Sequence, residues 1–199
     1  MLEIEGFILV GGQSRRMGAD KAGLKLGGRS FVERVAEALA AIARRVRVVG
    51  ARDETEMYSL TVVADVYPEW GALGGLQGAL AACRTPWAAV VACDLPFVTG
   101  ELFLRLASLR EDFDAVVPVQ LDGRLQPLCA LYRREACATR AEELILRGER
   151  RPRALLQGIR TRMVAPVELA DLDGSSHFFT NLNTPEDFAQ ARERIRGQG

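Results

Sequence analysis

Residues Phe7 to Lys21 run from a short apolar strand, Phe-Ile-Leu-Val, into the loop Gly-Gly-Gln-Ser-Arg-Arg-Met-Gly-Ala-Asp-Lys. These residue types, in this order, suit the holding of a polyphosphate. Gly11 and Gly12 have no Cβ, so backbone N–H groups can approach oxygens closely. Arg15, Arg16 and Lys21 offset the phosphate charge. Neither familiar phosphate loop is present. A P-loop reads G-x-x-x-x-G-K-[ST], and its nearest counterpart here, Gly18 to Lys25, has Leu24 in the lysine position. The dinucleotide fingerprint G-x-G-x-x-G is also absent from the stretch. The competing reading is a charged surface turn, since glycine and arginine are common in loops.

A second constellation is Cys93-Asp94-Leu95-Pro96, at the end of the apolar run Trp87–Ala92. It places Asp94 at the carboxyl edge of a sheet, the edge from which the glycine-rich loop also emerges. A carboxylate beside a triphosphate is repelled unless a cation lies between them. Mg²⁺ fits, because it prefers one or two carboxylates together with phosphate oxygens. The alternative is a cap or turn aspartate. Asp65, just after another strand, is placed to accept from a ribose or base donor or to support the metal. The run Gly71-Ala-Leu-Gly-Gly-Leu-Gln-Gly78 either brings backbone to an anion at a helix start or permits tight helix–sheet packing. In an extended segment Asn181 and Asn183 project to one side. Two amides on one face read a polar heterocycle or position a phosphate, and Gln126 offers a further amide.

What is missing narrows the chemistry. His177 is the only histidine, and no strained nucleophile elbow accompanies Gly-Ser-Ser-His177. No glutamate–histidine metalloprotease pattern is present. Nucleotidyl transfer to an acceptor phosphate needs neither a histidine base nor a covalent nucleophile, because the acceptor is already anionic. Catalysis then consists of in-line positioning and charge neutralisation by Mg²⁺, lysine and backbone N–H groups.

The elements that must position these residues alternate. Strands are expected at Gly6–Val10, Val46–Val49, Thr61–Ala64, Trp87–Ala92, Ala115–Val119 and Leu128–Tyr132. Helices are expected from the Ser30/Glu33 capping box to about Ala43, over Gly74–Cys83, from a Thr99 cap to about Arg110, over Arg134–Arg147, and from Thr184-Pro185 onward. Such alternation implies an α/β fold, a mostly parallel sheet with helices on both faces and ligands outside the carboxyl ends of the strands. Residues 1–199 are expected to form one domain, without repeats or linkers.

Composition sets the bounds. The chain has 199 residues, 48% hydrophobic and 26% charged, with a formal net charge of zero, so nothing global points to nucleic acid or an anionic membrane. The arginine-rich stretch Arg147–Arg153 is read as a solvated helix end rather than a site. The start of the chain does not resemble a signal peptide, and no apolar run is long enough to span a bilayer. Cys83, Cys93, Cys129 and Cys137 lack C-x-x-C spacing and are read as buried thiols of a cytoplasmic protein, against zinc or disulfide.

Taken together, Leu9-Val-Gly-Gly-Gln-Ser-Arg-Arg-Met-Gly-Ala-Asp-Lys21, Cys93-Asp-Leu-Pro96, Gln126-Pro-Leu-Cys-Ala-Leu-Tyr132 and Asn181-Leu-Asn-Thr-Pro185 resemble the molybdenum cofactor guanylyltransferase (MobA-like) family, in order along nearly the whole chain. The resemblance implies a Rossmann-like nucleotidyltransferase fold. It implies transfer of GMP from GTP to the terminal phosphate of molybdopterin or its molybdenum form, with Mg²⁺ and release of pyrophosphate. Leu9, Val10, Gly11 and Gly12 would then hold the guanine nucleotide, with Lys21, Arg15 and Arg16 on the phosphates. Asp65 would contact GTP, and Asp94 would bind Mg²⁺ beside the triphosphate. Asn181, Asn183 and Gln126 would face the pterin. Proteins that insert or receive the cofactor are further partners that the resemblance allows.

The chain departs from the family pattern twice. Val10 stands where the loop usually carries alanine, and Gly50 where an asparagine often contacts nucleotide. The rival readings are a sister enzyme that transfers CMP to the same cofactor, whose loop resembles Leu-Ala-Ala-Gly, nucleotidyl transfer to another phosphate, and a nucleotide-binding regulator without catalysis.

Overall fold

A computed structural model of the chain describes residues 3–10, 24–50, 56–182 and 184–196. In chain order the elements begin with β1 (Ile4–Leu9), a short hairpin of β2 (Lys25–Leu26) and β3 (Arg29–Ser30), helix α1 (Phe31–Ala40) and β4 (Val46–Val49). A second hairpin follows, β5 (Glu56–Met57) and β6 (Leu60–Val63), then α2 (Gly71–Ala82), β7 (Trp87–Ala92) and α3 (Gly100–Ser108). The chain continues through β8 (Ala115–Pro118), β9 (Cys129–Arg133), α4 (Arg134–Leu146), α5 (Arg153–Leu156), β10 (Thr161–Val164) and α6 (Pro185–Arg196).

The sheet has the order β10-β8-β9-β7-β1-β4-β6-β5. β1 pairs in parallel with β4 on one side and β7 on the other, and β4–β6 and β8–β10 are also parallel. β9 runs antiparallel between β7 and β8, and β5 closes antiparallel on β6. The chain thus leaves β1 toward β4, and later returns across it to reach β7. The carboxyl end of β1 is therefore the topological switch point, where open α/β sheets bind ligands.

Strand alternation sorts the core into two faces. Ile4, Ile8, Val48, Ala89 and Val91 face α1 and α3, packing on Val35, Leu39, Phe103 and Leu106. Phe7, Val49, Ala88, Val90 and Tyr132 face the other way, onto α2, α4 and α5 through Leu73, Leu76, Leu80, Leu144 and Leu155. The mostly parallel α/β architecture expected from the sequence is therefore present.

The caps also form where the residues require them. Glu33 N–H donates to Ser30 Oγ at 3.2 Å while Ser30 N–H donates to Glu33 Oε2 at 2.6 Å. Thr99 Oγ1 accepts from Leu102 N–H at 3.3 Å, and Thr184 Oγ1 from Asp187 N–H at 3.1 Å. Two differences have physical causes. Helix α1 ends at Ala40, with Ile42 and Ala43 both turned back onto the Leu39 carbonyl, three residues short of the expected end. Helix α2 begins at Gly71, not Gly74, so Gly71, Ala72 and Leu73 lie in its first turn rather than in a loop.

At the amino end of the central strands, Glu5 and Arg47 form a buried ion pair at 2.7 Å. Arg47 also donates to the Ala82 carbonyl at 2.8 Å and stacks 4.8 Å from the Phe7 ring, while Arg84 N–H donates to Glu5 Oε2 at 2.8 Å. The pair therefore ties β1, β4 and the end of α2 together at the edge opposite the switch point.

At the other edge, Gly50 follows β4 with φ of +108°, and a Cβ placed there would lie 2.0 Å from the Val10 carbonyl oxygen. Only glycine fits that approach.

Two stability outcomes follow from these contacts. Arg47→Leu leaves the Glu5 carboxylate buried without its cation and should cost about 3–5 kcal/mol in urea unfolding. Gly50→Ala combines a left-handed φ with a backbone clash and should cost about 3 kcal/mol or more in the same assay. An unchanged midpoint in either variant would contradict these contacts.

Candidate active site

Most of the candidate residues that are described stand at one edge of the sheet. The parallel strands β1, β4, β6 and β7 present their carboxyl ends there. β8 runs in the same direction, so its loop to β9 also lies on that edge. Leu9, Val10, Gly50, Asp65, Asp94 and Gln126 all stand on or just beyond these ends.

The exit of β1 is fixed from both sides. Val10 N–H donates to the Val49 carbonyl at 2.8 Å, and Cys93 N–H donates to the Leu9 carbonyl at 3.1 Å. A nucleotide contact by this backbone must therefore use carbonyl lone pairs or the residues beyond Val10. Gly11, Gly12, Arg15, Arg16 and Lys21 lie outside the described residues.

Asp94 follows β7 in a turn closed by Leu95 N–H on the Ala92 carbonyl at 3.3 Å. Its carbonyl accepts from Leu182 N–H at 3.2 Å, which brings the segment carrying Asn181 directly to the Asp94 loop. Asn181 is exposed and Leu182 buried, the alternation expected of an extended segment; Asn183 lies outside the described residues.

Gln126 is buried, and its N–H donates to the Pro118 carbonyl at 2.9 Å. Two residues on, the Leu128 carbonyl accepts from Ala92 N–H at 2.9 Å, placing this loop beside the end of β7. Tyr132 supports it from below, donating its hydroxyl to the Pro127 carbonyl at 2.6 Å. Burial raises the Tyr132 pKa well above the usual phenol range, so it remains a donor.

Asp65 has a local partner, since its Oδ1 accepts from Tyr67 N–H at 2.8 Å. This is the Asx turn that aspartate commonly makes after a strand, and it sets the path from β6 into α2. Along α2 the packing reading of the glycines holds at Gly74, where a Cβ would lie 2.2 Å from the Tyr67 carbonyl oxygen. A Cβ at Gly75 would stand in ordinary contact with the Leu9 side chain, at 3.6 Å, so α2 lies against the end of β1 there.

The remaining candidates take ordinary structural places. His177 ends the short turn Ser175–His177. In the arginine-rich stretch, Glu149 pairs with Arg151 at 2.8 Å, and that hydrogen bond lowers the Glu149 pKa to about 2. Arg150 stacks on Trp70 at 5.0 Å. The four cysteines are buried and outside any disulfide. Burial pushes the Cys129 thiol far above its ordinary value, Cys137 to about 12, and Cys83 upward as well, so these three offer no thiolate.

Sequence reasoning missed the hairpin β2–β3, the edge strand β10, and the bond from Leu182 to Asp94. An apolar residue between two amides was the available signal for Leu182, but the partner of its N–H lies 88 positions away in the chain.

As to metal, no group of three or more His, Cys, Asp or Glu able to hold an ion occurs among the described residues. No helix among the described residues is long and apolar enough to cross a membrane.

Comparison with known proteins places this geometry in context. Residues 6–165 match the MobA-like NTP transferase domain. A Pelotomaculum thermopropionicum protein named "probable molybdenum cofactor guanylyltransferase" is 34% identical over 193 residues, 96% of this chain and 93% of that one. The crystal structure of molybdopterin-guanine dinucleotide biosynthesis protein A from Archaeoglobus fulgidus superposes with a TM-score of 0.81 at 28% identity, covering 97% and 99% of the two chains. The 2-C-methyl-D-erythritol 4-phosphate cytidylyltransferase of Thermus thermophilus shares the fold alone, with a TM-score of 0.71 at 18% identity over 98% and 100% of the chains. The chain belongs to the MobA-like NTP transferase domain family, a family of nucleotidyltransferases.

Proposed function

We propose that this protein is a molybdenum cofactor guanylyltransferase, which joins GMP from GTP to the terminal phosphate of molybdopterin or its molybdenum form and releases pyrophosphate. The observation that carries the reading is the meeting, at the β1 switch point of a MobA-like domain, of the Asp94 loop with the segment bearing Asn181. That bond brings the backbone of the Asn181 segment to the Asp94 loop, which supports a reading in which acceptor and metal would be held side by side.

In this reading an acceptor phosphate oxygen attacks the α-phosphorus of GTP in line. The new P–O bond forms as the bond to the β-phosphate bridging oxygen breaks, and pyrophosphate takes the electron pair. The acceptor is already anionic, so no base is required. Lys21, with Arg15 and Arg16, neutralises the phosphates, and the glycine pair Gly11–Gly12 lets backbone approach them. Asp94 would hold Mg²⁺, which supplies positive charge at the reacting phosphate. Asp65, Leu9 and Val10 would contact the nucleoside, while Asn181, Asn183 and Gln126 would orient the pterin. Buried thiols in a reducing cytoplasm complete the picture. The likeness to a cytidylyltransferase is one of fold, and does not transfer its base preference.

The test is pyrophosphate release with Mg²⁺ and purified molybdopterin, or its molybdenum form, with GTP, CTP and ATP in separate reactions. Acceptor-dependent turnover with GTP is expected. A preference for CTP, or no turnover with any nucleotide, would overturn the assignment. Asp94→Asn and Lys21→Ala should each lower kcat about 10²–10³-fold with the far-ultraviolet circular dichroism unchanged, the usual scale for one transition-state contact. Full activity in both variants would remove these residues from the site. Chelation of divalent ions should abolish turnover, and added Mg²⁺ should restore it.

A further inference from the structure

Segments that carry candidate site residues converge on a small apolar cluster apart from the two sheet-face cores. Leu26, Phe31, Leu182 and Ala191 are buried in it, and Leu24, Phe97 and Phe188 pack against it. Each is placed meaningfully in the chain. Leu24 is the first described residue after the glycine-rich loop, and Phe97 closely follows Asp94. Leu182 separates Asn181 from Asn183, is 1% exposed, and gives its N–H to the Asp94 carbonyl at 3.2 Å. The Phe31 and Phe188 rings, with centroids 6.1 Å apart, join α1 to α6 across the same cluster.

We propose that Leu182 is a positioning residue of the transfer reaction: anchored in this cluster, it fixes the acceptor-side segment against the Asp94 loop. The inference rests on the guanylyl-transfer reading above. Its physical basis is the cost of misalignment. In-line attack requires acceptor oxygen and α-phosphorus to be held near contact distance, and a displacement of about 1 Å can cost about 100-fold in rate. The Leu182 N–H alone does not set that distance, because a single backbone bond leaves a non-strand segment able to pivot about it. The buried side chain removes that freedom. Truncating it leaves the N–H in place but frees the segment, and Asp94 keeps its own side chain throughout.

The consequence is a specific kinetic pattern. Leu182 acts between the two substrates rather than on the nucleotide, so its loss should fall on the acceptor and on the chemical step. The experiment compares wild type, Leu182→Ala, Leu182→Val and Leu182→Met, varying GTP and acceptor in turn and measuring GTP affinity alone by equilibrium titration. For Leu182→Ala, acceptor KM should rise about 10-fold and kcat fall about 10–100-fold, with the GTP Kd within about twofold of wild type. Leu182→Val should fall between, and Leu182→Met, which refills the volume with a flexible chain, should restore most of the activity.

Unchanged kcat and acceptor KM in Leu182→Ala would overturn the proposal. So would a loss of GTP affinity matching the loss of kcat, or a failure of Leu182→Met to recover activity while folded. Should Leu182→Ala not fold, the graded pair Leu182→Val and Leu182→Met decides by the same split. A wild-type protein without guanylyl transfer would instead sink the reaction assignment. Wild-type turnover with an indifferent Leu182 would sink only this inference.

Discussion

The parallel pairing of β1 with β4 on one side and β7 on the other is the constraint on which the rest of the structure depends. Parallel strands bury both faces and require crossovers, so helices must cover the sheet on each side. The same pairing brings the carboxyl ends of these strands to one edge. Two bonds hold that edge at its centre, Val10 N–H to Val49 and Cys93 N–H to Leu9, and they fix where the glycine-rich loop and the Asp94 turn begin. Main-chain geometry thus fixes the starting points of the loops that continue these strands.

The two ends of the sheet are held differently. At the amino end, the buried Glu5–Arg47 pair spends charge on structure, with Ala82, Arg84 and Phe7 completing its contacts. A buried pair of this kind adds little net stability over apolar packing, but it tolerates few alternatives, because either member alone would be an uncompensated charge. At the carboxyl end, close approach replaces charge. Gly50 under the Val10 carbonyl and Gly74 under the Tyr67 carbonyl let backbone meet backbone without side chains between. That leaves the edge free for the ionic groups of the site.

Much of this was legible from residue patterns. The apolar runs at β4 and β7 have the limits that the sequence suggests, and Ser30, Thr99 and Thr184 cap helices as their neighbours imply. The direction of β9 was not legible, since a strand buried on both faces reads the same either way. β10 was hidden because Thr161–Val164 is a half-exposed edge strand with a weak apolar pattern. Gly71 argued for a loop by propensity, yet α2 begins there, three residues ahead of the Gly74 start that the sequence suggests. Asp94 lies just beyond β7, where the end of the apolar run places it. Asp65 showed its nearest role, the Tyr67 turn, only in three dimensions.

The small cluster around Leu182 explains how a site made of loops keeps its geometry. A sheet edge can fix only the residues that directly continue its strands, such as Val10 and Asp94. The acceptor-side segment arrives after a long excursion through the turns Pro166–Leu169 and Ser175–His177, with no strand of its own to align it. Burying Leu182 contributes on the order of 1.5–3 kcal/mol by area alone, too little to matter for global stability beside two full core faces. It is enough to hold one segment against one loop. Such a local core holds the Leu182 segment through packing of its own, apart from the two sheet-face cores. In a fold that serves several phosphate acceptors, that separation permits the acceptor site to vary while the switch-point edge stays fixed.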